Sequence, residues 1–350
     1  MYAVIMAGGK GERLWPKSTR GKGKHMLAFG TKNVMIKETI KRLTQHLAPE
    51  NIFLITTKKQ FSVLKPYVSV IPEKNMILEP EGKDTAAAIC LAALTIEKRF
   101  GNVPMVILPA DHIIKDSKEL FKSLELSGKI AGMSSCLVTI GIKPKYPSVG
   151  YGYIEAGKKI HGGFEVKRFT EKPEKKKAES FYKSKNYLWN SGIFIWNTAS
   201  ILSAVKKYLP NLYYAFKDVV DTEGKSGYAI RLAEEYSKIK PVSIDYGLME
   251  PAARDRAQKI FCVKSGFDWV DIGSWSSVEE IYDKDVDGNI ILSSGAMLDV
   301  SGCTIIGERG HKIGAIGVKN LIIVQTKAGT LICNKDSAQR VKDLVKKLKS

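Results

Sequence analysis

The stretch Met6–Pro16, MAGGKGERLWP, directly follows the short apolar run Tyr2–Ile5. A buried strand that runs into a glycine-rich loop is typical of the first strand of an α/β protein. Glycines at 8, 9 and 11 let backbone N–H groups approach a polyphosphate, and Arg13 adds a planar cation for phosphate oxygens. A tight strand connection is the simpler interpretation of the loop alone, so the choice depends on the rest of the sequence.

Short apolar runs rich in β-branched residues alternate with helical patterns as far as about residue 148. This alternation predicts a doubly wound, mainly parallel sheet of the α/β class, in which ligands bind beyond the carboxyl ends of the strands. The predicted helices include an Ala/Leu-rich one over Thr85–Arg99, capped by Asp84. The predicted strands are Ala3–Met6, Ile52–Thr56, Met76–Leu78, Met105–Leu108 and Cys136–Ile140.

The pattern changes towards the C-terminus, where helical periodicity stops after Asp287. Recurring short strands there predict a small C-terminal β unit of the left-handed β-helix type, closed by a helix over Ser337–Leu348. We therefore expect two domains, 1–285 and 286–350. The strands predicted for the second are Ile290–Leu292, Thr304–Ile306, Ala315–Val318 and Leu321–Thr326.

The chain carries 55 basic and 36 acidic residues, which gives a formal net charge of +19. Strong basicity is typical of nucleic-acid-binding proteins. The lysines, however, are scattered over amphipathic segments, with Lys175–Lys177 the tightest run, and no aromatic-interleaved basic patch or zinc-finger spacing occurs. We therefore expect no nucleic-acid partner and interpret the charge as a solvated lysine surface, with an anionic small-molecule substrate as a secondary factor.

The five cysteines are odd in number, far apart and mostly within apolar segments, which predicts reduced core thiols, with neither a disulfide framework nor a zinc site. No apolar run approaches the ~20 residues of a membrane helix. The N-terminus lacks the basic start and cleavage site of a signal peptide. These observations predict a cytoplasmic protein without a membrane partner.

Two aspartates are candidate metal ligands. Asp111 ends a predicted strand in LPADH (Leu108–His112), and Asp271 lies in the apolar segment WVDIGSW (Trp269–Trp275). A buried carboxylate is costly unless it is paired, hydrogen-bonded or bound to a metal. Together over phosphates, the two would offer the hard oxygen ligands that Mg²⁺ prefers. For Asp111 alone, a turn or helix-cap aspartate is the more common explanation.

Three further segments carry groups suited to a sugar phosphate. They are RFTEKP with Glu171 and Lys172, WNSGIF with Asn190, and VSIDYGLME with Asp245. Sugar hydroxyls both donate and accept hydrogen bonds, so carboxylates and amides are suitable partners. Each segment alone is better explained as a solvated strand end or a turn, whereas their ordered co-occurrence favours a site.

The ordered set AGGKGERLWP, LEPEGKDTAAA, LPADH, GYGYIE, FTEKP, WNSGIF, SIDYGLME and WVDIGSW resembles the mannose-1-phosphate guanylyltransferases, or GDP-mannose pyrophosphorylases. The resemblance runs nearly end to end. It implies a fold of the nucleotide-diphospho-sugar transferase type and the reaction of GTP with mannose 1-phosphate to give GDP-mannose and pyrophosphate. The sugar phosphate oxygen then attacks the α-phosphorus in line, and no covalent enzyme intermediate is needed.

The resemblance also implies roles for residues at matching positions. Arg13 would hold the outer phosphates, Lys24 would lie against the attacking and α-phosphate oxygens, and Asp111 and Asp271 would ligate Mg²⁺. The implied nucleotide-binding residues are Gly8, Gly9, Gly11, Glu79, Asp84 and Thr85. The implied sugar-binding residues are Gly152, Glu171, Lys172, Asn190 and Asp245, of which Lys172 would contact the sugar phosphate.

The chain departs from the family pattern in two segments. Gly23-Lys24-His25-Met26-Leu27 stands where the family has Pro-Lys-Gln-Phe-Leu, so the proline that stiffens the backbone before the lysine is absent. If glycine merely loosens Lys24, we expect Gly23→Pro to leave activity equal or higher. Asp84-Thr85-Ala86-Ala87 stands where Asn-Thr-Ala-Pro is usual. Asp84 has three open roles there: accepting from guanine N–H groups, altering the nucleotide preference, or capping its helix.

Alternatives to this activity stay open at this point. One is a non-catalytic relative that binds a sugar nucleotide and regulates a partner, and another is a nucleotidyltransferase for a different sugar 1-phosphate or nucleoside triphosphate. A dinucleotide-dependent oxidoreductase fails on spacing, because G-x-G-x-x-G from Gly9 requires glycine where Leu14 stands. We expect a homodimer that associates through an exposed edge or face of the apolar C-terminal β unit.

Overall fold

The computed structural model describes residues 1–9, 11–19, 21–133, 135–255 and 258–348. Its residues group into two compact units, each drawn from separate stretches of the chain. Unit 1 consists of Met1–Ala7, Ile40–Ala110 and Ile114–Trp269. Unit 2 consists of Gly8–Thr39, Asp111–Ile113 and the chain from Val270 onward.

Strands and helices alternate through most of the chain. The strands are β1 (Tyr2–Met6), β2 (Ile52–Thr57), β3 (Met76–Glu79), β4 (Pro104–Pro109), β5 (His112–Ile114), β6 (Leu137–Ile142), β7 (Tyr153–Ile160), β8 (Gly163–Thr170), β9 (Tyr187–Asn197), β10 (Ile260–Lys264), β11 (Trp269–Asp271), β12 (Ile290–Leu292), β13 (Ser294–Leu298), β14 (Thr304–Ile306), β15 (Lys312–Ile316), β16 (Leu321–Thr326) and β17 (Gly329–Asn334). The α-helices are α1 (Met35–Leu43), α2 (Lys58–Leu64), α3 (Asp84–Phe100), α4 (Ser117–Met133), α5 (Lys175–Ser184), α6 (Thr198–Tyr208), α7 (Pro210–Val220), α8 (Tyr228–Lys238), α9 (Glu250–Asp255) and α10 (Val341–Lys347).

The centre of unit 1 is a sheet with the strand order β3-β2-β1-β4-β9-β6-β10-β8-β7. The strands β3, β2, β1 and β4 are parallel, as predicted, and β10 runs parallel to β6. Strand β9 is antiparallel to both β4 and β6, and β7 pairs antiparallel with β8 and β9. The sheet is therefore mixed, and the prediction of a mainly parallel sheet is wrong for its second half. The strands from β6 to β9 follow one another with α5 as the sole α-helix described between them, and short connections join antiparallel neighbours.

Helix α3 forms much of the core beside this sheet. Its residues from Ala86 to Ile96 are all buried, because the helix is apolar on every side. It begins at Asp84 and ends at Phe100, so the predicted helix over Thr85–Arg99 is confirmed to within one residue at each end. None of the helices in the described ranges is both long and apolar enough to cross a membrane.

Unit 2 contains stacked parallel strands. Strands β12, β14 and β16 pair in parallel, β13 pairs in parallel with β15, and β17 returns antiparallel along β16. The short turn Lys335–Arg340 and α10 then close the chain, where a single helix was predicted. Trp275 is fully buried in the apolar core of this unit, and its indole N–H donates to the Trp15 carbonyl at 2.9 Å. This packing fixes the segment after Asp271 against the segment after Arg13.

The cysteines agree with the sequence-based prediction. Cys90, Cys136, Cys262 and Cys303 are buried free thiols, and Cys333 is a half-buried free thiol.

Candidate active site

Lys24 joins the two predicted metal-ligand aspartates in unit 2. It lies on the short helical turn Lys24–Met26 and is buried. Its Nζ lies 2.8 Å from Asp111 Oδ2 and also forms a salt bridge with Asp271 Oδ1. The sequence does not show whether Asp111 and Asp271 lie close together. In the structure, both carboxylates contact the ammonium group of Lys24.

The charges in this cluster stabilise one another. Burial alone would lower the pKa of Lys24, but the carboxylates of Asp111 and Asp271 outweigh it and raise that pKa. Burial alone would raise the pKa of Asp271, but Lys24, His112 and Arg13 outweigh it and lower that pKa to about 2. Lys24 and Asp271 are therefore both ionised at neutral pH. This is the state that metal binding and charge stabilisation require.

The glycine loop approaches the same lysine. Gly11 has a φ of +63°, and a Cβ at this position would lie 3.0 Å from both the backbone N and the Cβ of Lys24. A side chain at position 11 would therefore be strained and would press on the lysine backbone. The Ser18 hydroxyl donates to the Gly11 carbonyl at 2.5 Å and fixes the loop from its far side.

Arg13 is held by a residue from the C-terminal segment. Its Nη1 donates to Gln339 Oε1 at 2.9 Å, and Gln339 Nε2 donates to Ser274 Oγ at 3.1 Å. Ser274 follows Asp271 closely, so one amide connects the segment of the arginine with that of the aspartate. Nothing in the sequence pointed to Gln339, which lies 326 positions from Arg13.

The predicted sugar-binding residues converge in unit 1. Asn190 Nδ2 donates to Asp245 Oδ1 at 2.9 Å. Asn190 Oδ1 accepts from the Thr139 hydroxyl at 3.1 Å and from Gly192 N at 3.2 Å, so its amide can present only Nδ2 to the aspartate. Asp245 begins the π-helical turn Asp245–Met249, a local structure found frequently at functional sites.

Glu171 and Lys172 complete this second cluster. Lys172 Nζ lies 2.6 Å from Glu171 Oε1, and the Glu171 backbone N donates to Glu250 Oε1 at 2.8 Å. A Cβ on Gly152 would overlap Glu171 Oε2 and lie 3.3 Å from the Cβ of Asn190. Because Gly152 has no side chain, the Glu171 carboxylate can occupy this space. Glu250 and Thr139 are supporting residues that the sequence analysis did not single out.

The carboxylates of this cluster repel each other. Burial and the neighbouring Glu171 raise the pKa of Asp245 to about 7, although Lys172 and the Asn190 amide act in the opposite direction. Burial would lower the pKa of Lys172, but Glu171 and Asp245 raise it. The cluster is therefore poised near neutral pH, where Asp245 changes from a hydrogen-bond donor to an acceptor.

Asp84 and Thr85 lie at the start of α3. Asp84 has a φ of +67°, and its carboxylate accepts from Thr85 N at 2.7 Å. The Thr85 hydroxyl accepts from Ile244 N at 2.8 Å, and Ala86 N donates to the Val242 carbonyl at 3.2 Å. The start of α3, which is predicted to bind the nucleotide, is thus hydrogen-bonded to the residues just before Asp245.

Glu79 faces the interior of unit 1. It is 6% exposed, and Tyr236 on α8 donates to its Oε1 at 3.1 Å. Burial raises the pKa of Glu79 to about 7, and the hydrogen bond from Tyr236 offsets only part of that increase. The structure thus pairs this predicted nucleotide-binding carboxylate with a buried phenol.

Family models match both parts of the chain. The Nucleotidyl transferase model matches residues 2–288, and the MannoseP isomerase/GMP-like beta-helix domain model matches residues 295–348. The first covers most of the chain and agrees with the mixed α/β fold. The second agrees with the stacked parallel strands at the C-terminus.

Individual proteins are similar over the full length of the chain. The mannose-1-phosphate guanylyltransferase of Klebsiella pneumoniae is 34% identical over 100% of this chain and 74% of its own length, and that of Salmonella muenchen is 36% identical with the same coverage. A crystal structure from Thermus thermophilus, described as a mannose-1-phosphate geranyltransferase, has a TM-score of 0.89 at 31% identity, covering 100% of this chain and 99% of that one. The chain belongs to the mannose-1-phosphate guanylyltransferase family of nucleotidyl transferases.

Proposed function

We propose that the protein makes GDP-mannose and pyrophosphate from GTP and mannose 1-phosphate by in-line attack on the α-phosphorus. The observation that carries the proposal is the convergence of Asp111 and Asp271 on the Nζ of Lys24. Phosphoryl-type transfers depend on positioning and charge stabilisation more than on covalent catalysis, and this cluster provides both signs of charge in fixed places.

The two carboxylates fit Mg²⁺. Mg²⁺ is usually held by one or two carboxylates and by substrate phosphates, and no group of three or more His, Cys, Asp or Glu side chains suited to a metal occurs in the described residues. Asp111 and Asp271 would hold the ion, which when bound neutralises phosphate charge and orients the triphosphate.

The chain's own residues would handle the phosphates in unit 2. Backbone N–H groups of Gly8, Gly9 and Gly11 would cradle the triphosphate, and Arg13, held in place by Gln339, would bind its outer phosphates. Lys24 would offset the negative charge that grows at the α-phosphate oxygens as the new bond forms.

In unit 1, the residues around Asp245 would bind the sugar phosphate. Asn190, Asp245 and Glu171 offer one amide and two carboxylates to the hydroxyls, and Lys172 would contact the phosphate. Gly152 leaves the room that Glu171 occupies. The nucleoside would bind to Asp84 and Thr85. Glu79 would also bind it once its carboxylate exchanges the hydrogen bond from Tyr236 for one from the nucleoside.

The test is pyrophosphate release from the purified chain with Mg²⁺, each of the four nucleoside triphosphates, and mannose 1-phosphate or glucose 1-phosphate. We expect release with GTP and mannose 1-phosphate well above every other pair. Release with a different pair would keep the reaction type and move the specificity to Asp84 or to the residues around Asp245. Absence of release with every pair, in protein that binds GDP-mannose, would replace the proposal with a non-catalytic regulatory relative.

A further inference from the structure

A cationic cavity lies within unit 2. It has a volume of about 230 Å³ and is bounded by the segment from Pro16 to Lys22 and by the hairpin between β16 and β17. None of the described residues that line it belongs to the proposed catalytic or substrate-binding set. The side chains that define its chemistry are Lys17, Thr19, Lys22, Glu308, Thr326 and Lys327.

The charges around this cavity do not balance. Lys17, Lys22 and Lys327 line it, and among the described lining residues Glu308 is the single carboxylate. Its Oε2 already accepts from the backbone N of Lys327 at 2.6 Å, and none of the three amines forms a salt bridge within the described part of the chain. Three lysines and one carboxylate therefore give the described lining of the cavity an excess of positive charge.

Lys17 is the most constrained of these amines. It is half-buried, and its Nζ lies 5.2 Å from the centroid of the Phe29 ring. Burial and then the nearby Lys22 lower the pKa of Lys17, and Glu308 acts in the opposite direction. An anion in the cavity would relieve the repulsion between the two lysines.

We propose that this cavity is a binding site for a small phosphate-bearing anion, separate from the proposed catalytic site. Lysine ammonium groups from two chain segments and the hydroxyl of Thr19 are donors that suit phosphate oxygens. The volume of about 230 Å³ is below the roughly 300–1,000 Å³ of pockets that enclose drug-sized ligands, which favours a small anion over an enclosed nucleotide. Free phosphate or pyrophosphate and the phosphate of a small sugar ester share this chemistry.

A ligand in this cavity would contact two segments that are distant in the sequence. The segment from Pro16 to Lys22 connects Arg13 with Lys24 in the sequence, and the Thr326 hydroxyl donates to the Pro16 carbonyl at 3.4 Å. An anion that contacts Lys17 and Lys22 on one side and Lys327 on the other clamps this segment to the hairpin. We expect the bound anion to raise the thermal stability of the protein.

Isothermal titration calorimetry of the full chain with inorganic phosphate, pyrophosphate and mannose 1-phosphate tests the site. Among the binding components that the two lysine variants below weaken, the tightest shows whether the cavity takes free phosphate or pyrophosphate, or the phosphate of a small sugar ester. We expect Lys17→Met and Lys327→Met each to weaken this binding by about tenfold. Lys312→Met, which removes an exposed lysine on β15 outside the cavity, and Arg13→Met, which alters the proposed catalytic site, leave this binding component in place.

Lys327 is exposed, so its variant keeps the test valid if Lys17→Met does not fold. Wild-type affinity in both variants, or the absence of binding at millimolar anion, would overturn the proposal. Loss of the same component in Arg13→Met would assign the anion to the proposed catalytic site instead. Because no turnover is measured, the result does not depend on the proposed transferase activity.

Discussion

Lys24, Asp111 and Asp271 depend on one another, because each would be an uncompensated charge without its partners. We expect Asp111→Asn and Asp271→Asn each to lower kcat/KM for GTP by roughly 10²–10³-fold, since each removes a proposed metal ligand and one of the carboxylates that contact Lys24. Pyrophosphate release over a Mg²⁺ titration measures this. Asp343→Asn, an exposed change on α10, is the matched control. Near wild-type activity in either variant would remove that aspartate from the metal site.

Gly23 is a position where the structure changes the expectation that the sequence alone supports. Its φ of −67° suits proline, but a Cβ there would lie 2.8 Å from His25 Cε1 and 2.9 Å from the Gly9 carbonyl oxygen. The His25 ring fills the space that the family's proline needs. We now expect Gly23→Pro to lower kcat/KM by about tenfold, and Gly23→Pro/His25→Gln to recover part of the loss. Steady-state rates of both variants measure this, and equal or higher activity in Gly23→Pro would restore the original expectation.

The raised pKa of Asp245 predicts that the binding of mannose 1-phosphate depends on pH. Its pKa of about 7 means that it is protonated below pH 7 and becomes a carboxylate above it. If the sugar hydroxyls bind the carboxylate, KM for mannose 1-phosphate rises as the pH falls through 7. Initial rates from pH 5.5 to 8.5 measure this. Asp245→Asn is the control, because it removes this ionisation and keeps that of the substrate, so an equal pH profile in the variant would contradict the assignment.

At the scale of elements, the sequence predicted most reliably what depends on local pattern. The strands β1 to β4 and the helix α3 follow directly from apolar runs and periodicity. The direction of β9 does not, because it depends on pairing with β4 and β6, which are distant in sequence. The sequence around Asn190 was also compatible with a turn, because the strand pairing is not visible in the local pattern. In the structure, Asn190 lies inside β9 at a point where the register with β6 shifts.

Gln339, in the last segment of the chain, holds Arg13 of the proposed phosphate site. We expect Gln339→Leu to raise KM for GTP by about fivefold and to leave KM for mannose 1-phosphate unchanged, because it removes the acceptor that holds Arg13 and alters none of the proposed sugar-binding residues. Full kinetics with each substrate varied in turn measure this split. Gln339→Glu, which restores an acceptor for the guanidinium, should recover the affinity; equal losses for both substrates would indicate a general structural defect.

At the scale of the whole molecule, each compact unit combines stretches that are far apart in the chain. Unit 2 takes its first stretch from Gly8–Thr39 and its last from Val270 onward. A sequence shows motifs in chain order, so Asp111 and Asp271 could be recognised individually, but their meeting at Lys24 depends on this long-range assembly. The domain boundary at residue 285 stays a prediction.

The C-terminal β unit has an exposed apolar pair that fits the predicted homodimer. Leu298 on β13 and Ile316 on β15 are paired in register and are 58% and 71% exposed. Exposed apolar side chains that adjoin on parallel strands favour association with a like surface. We expect light scattering after size exclusion to give twice the chain mass of 38.8 kDa, and Leu298→Lys/Ile316→Lys to give a monomer that keeps its transferase activity. Ile230→Lys, at a 68% exposed position on α8, should leave the dimer intact. A monomeric wild type, or a dimer that survives the double change, would place the association elsewhere or remove it.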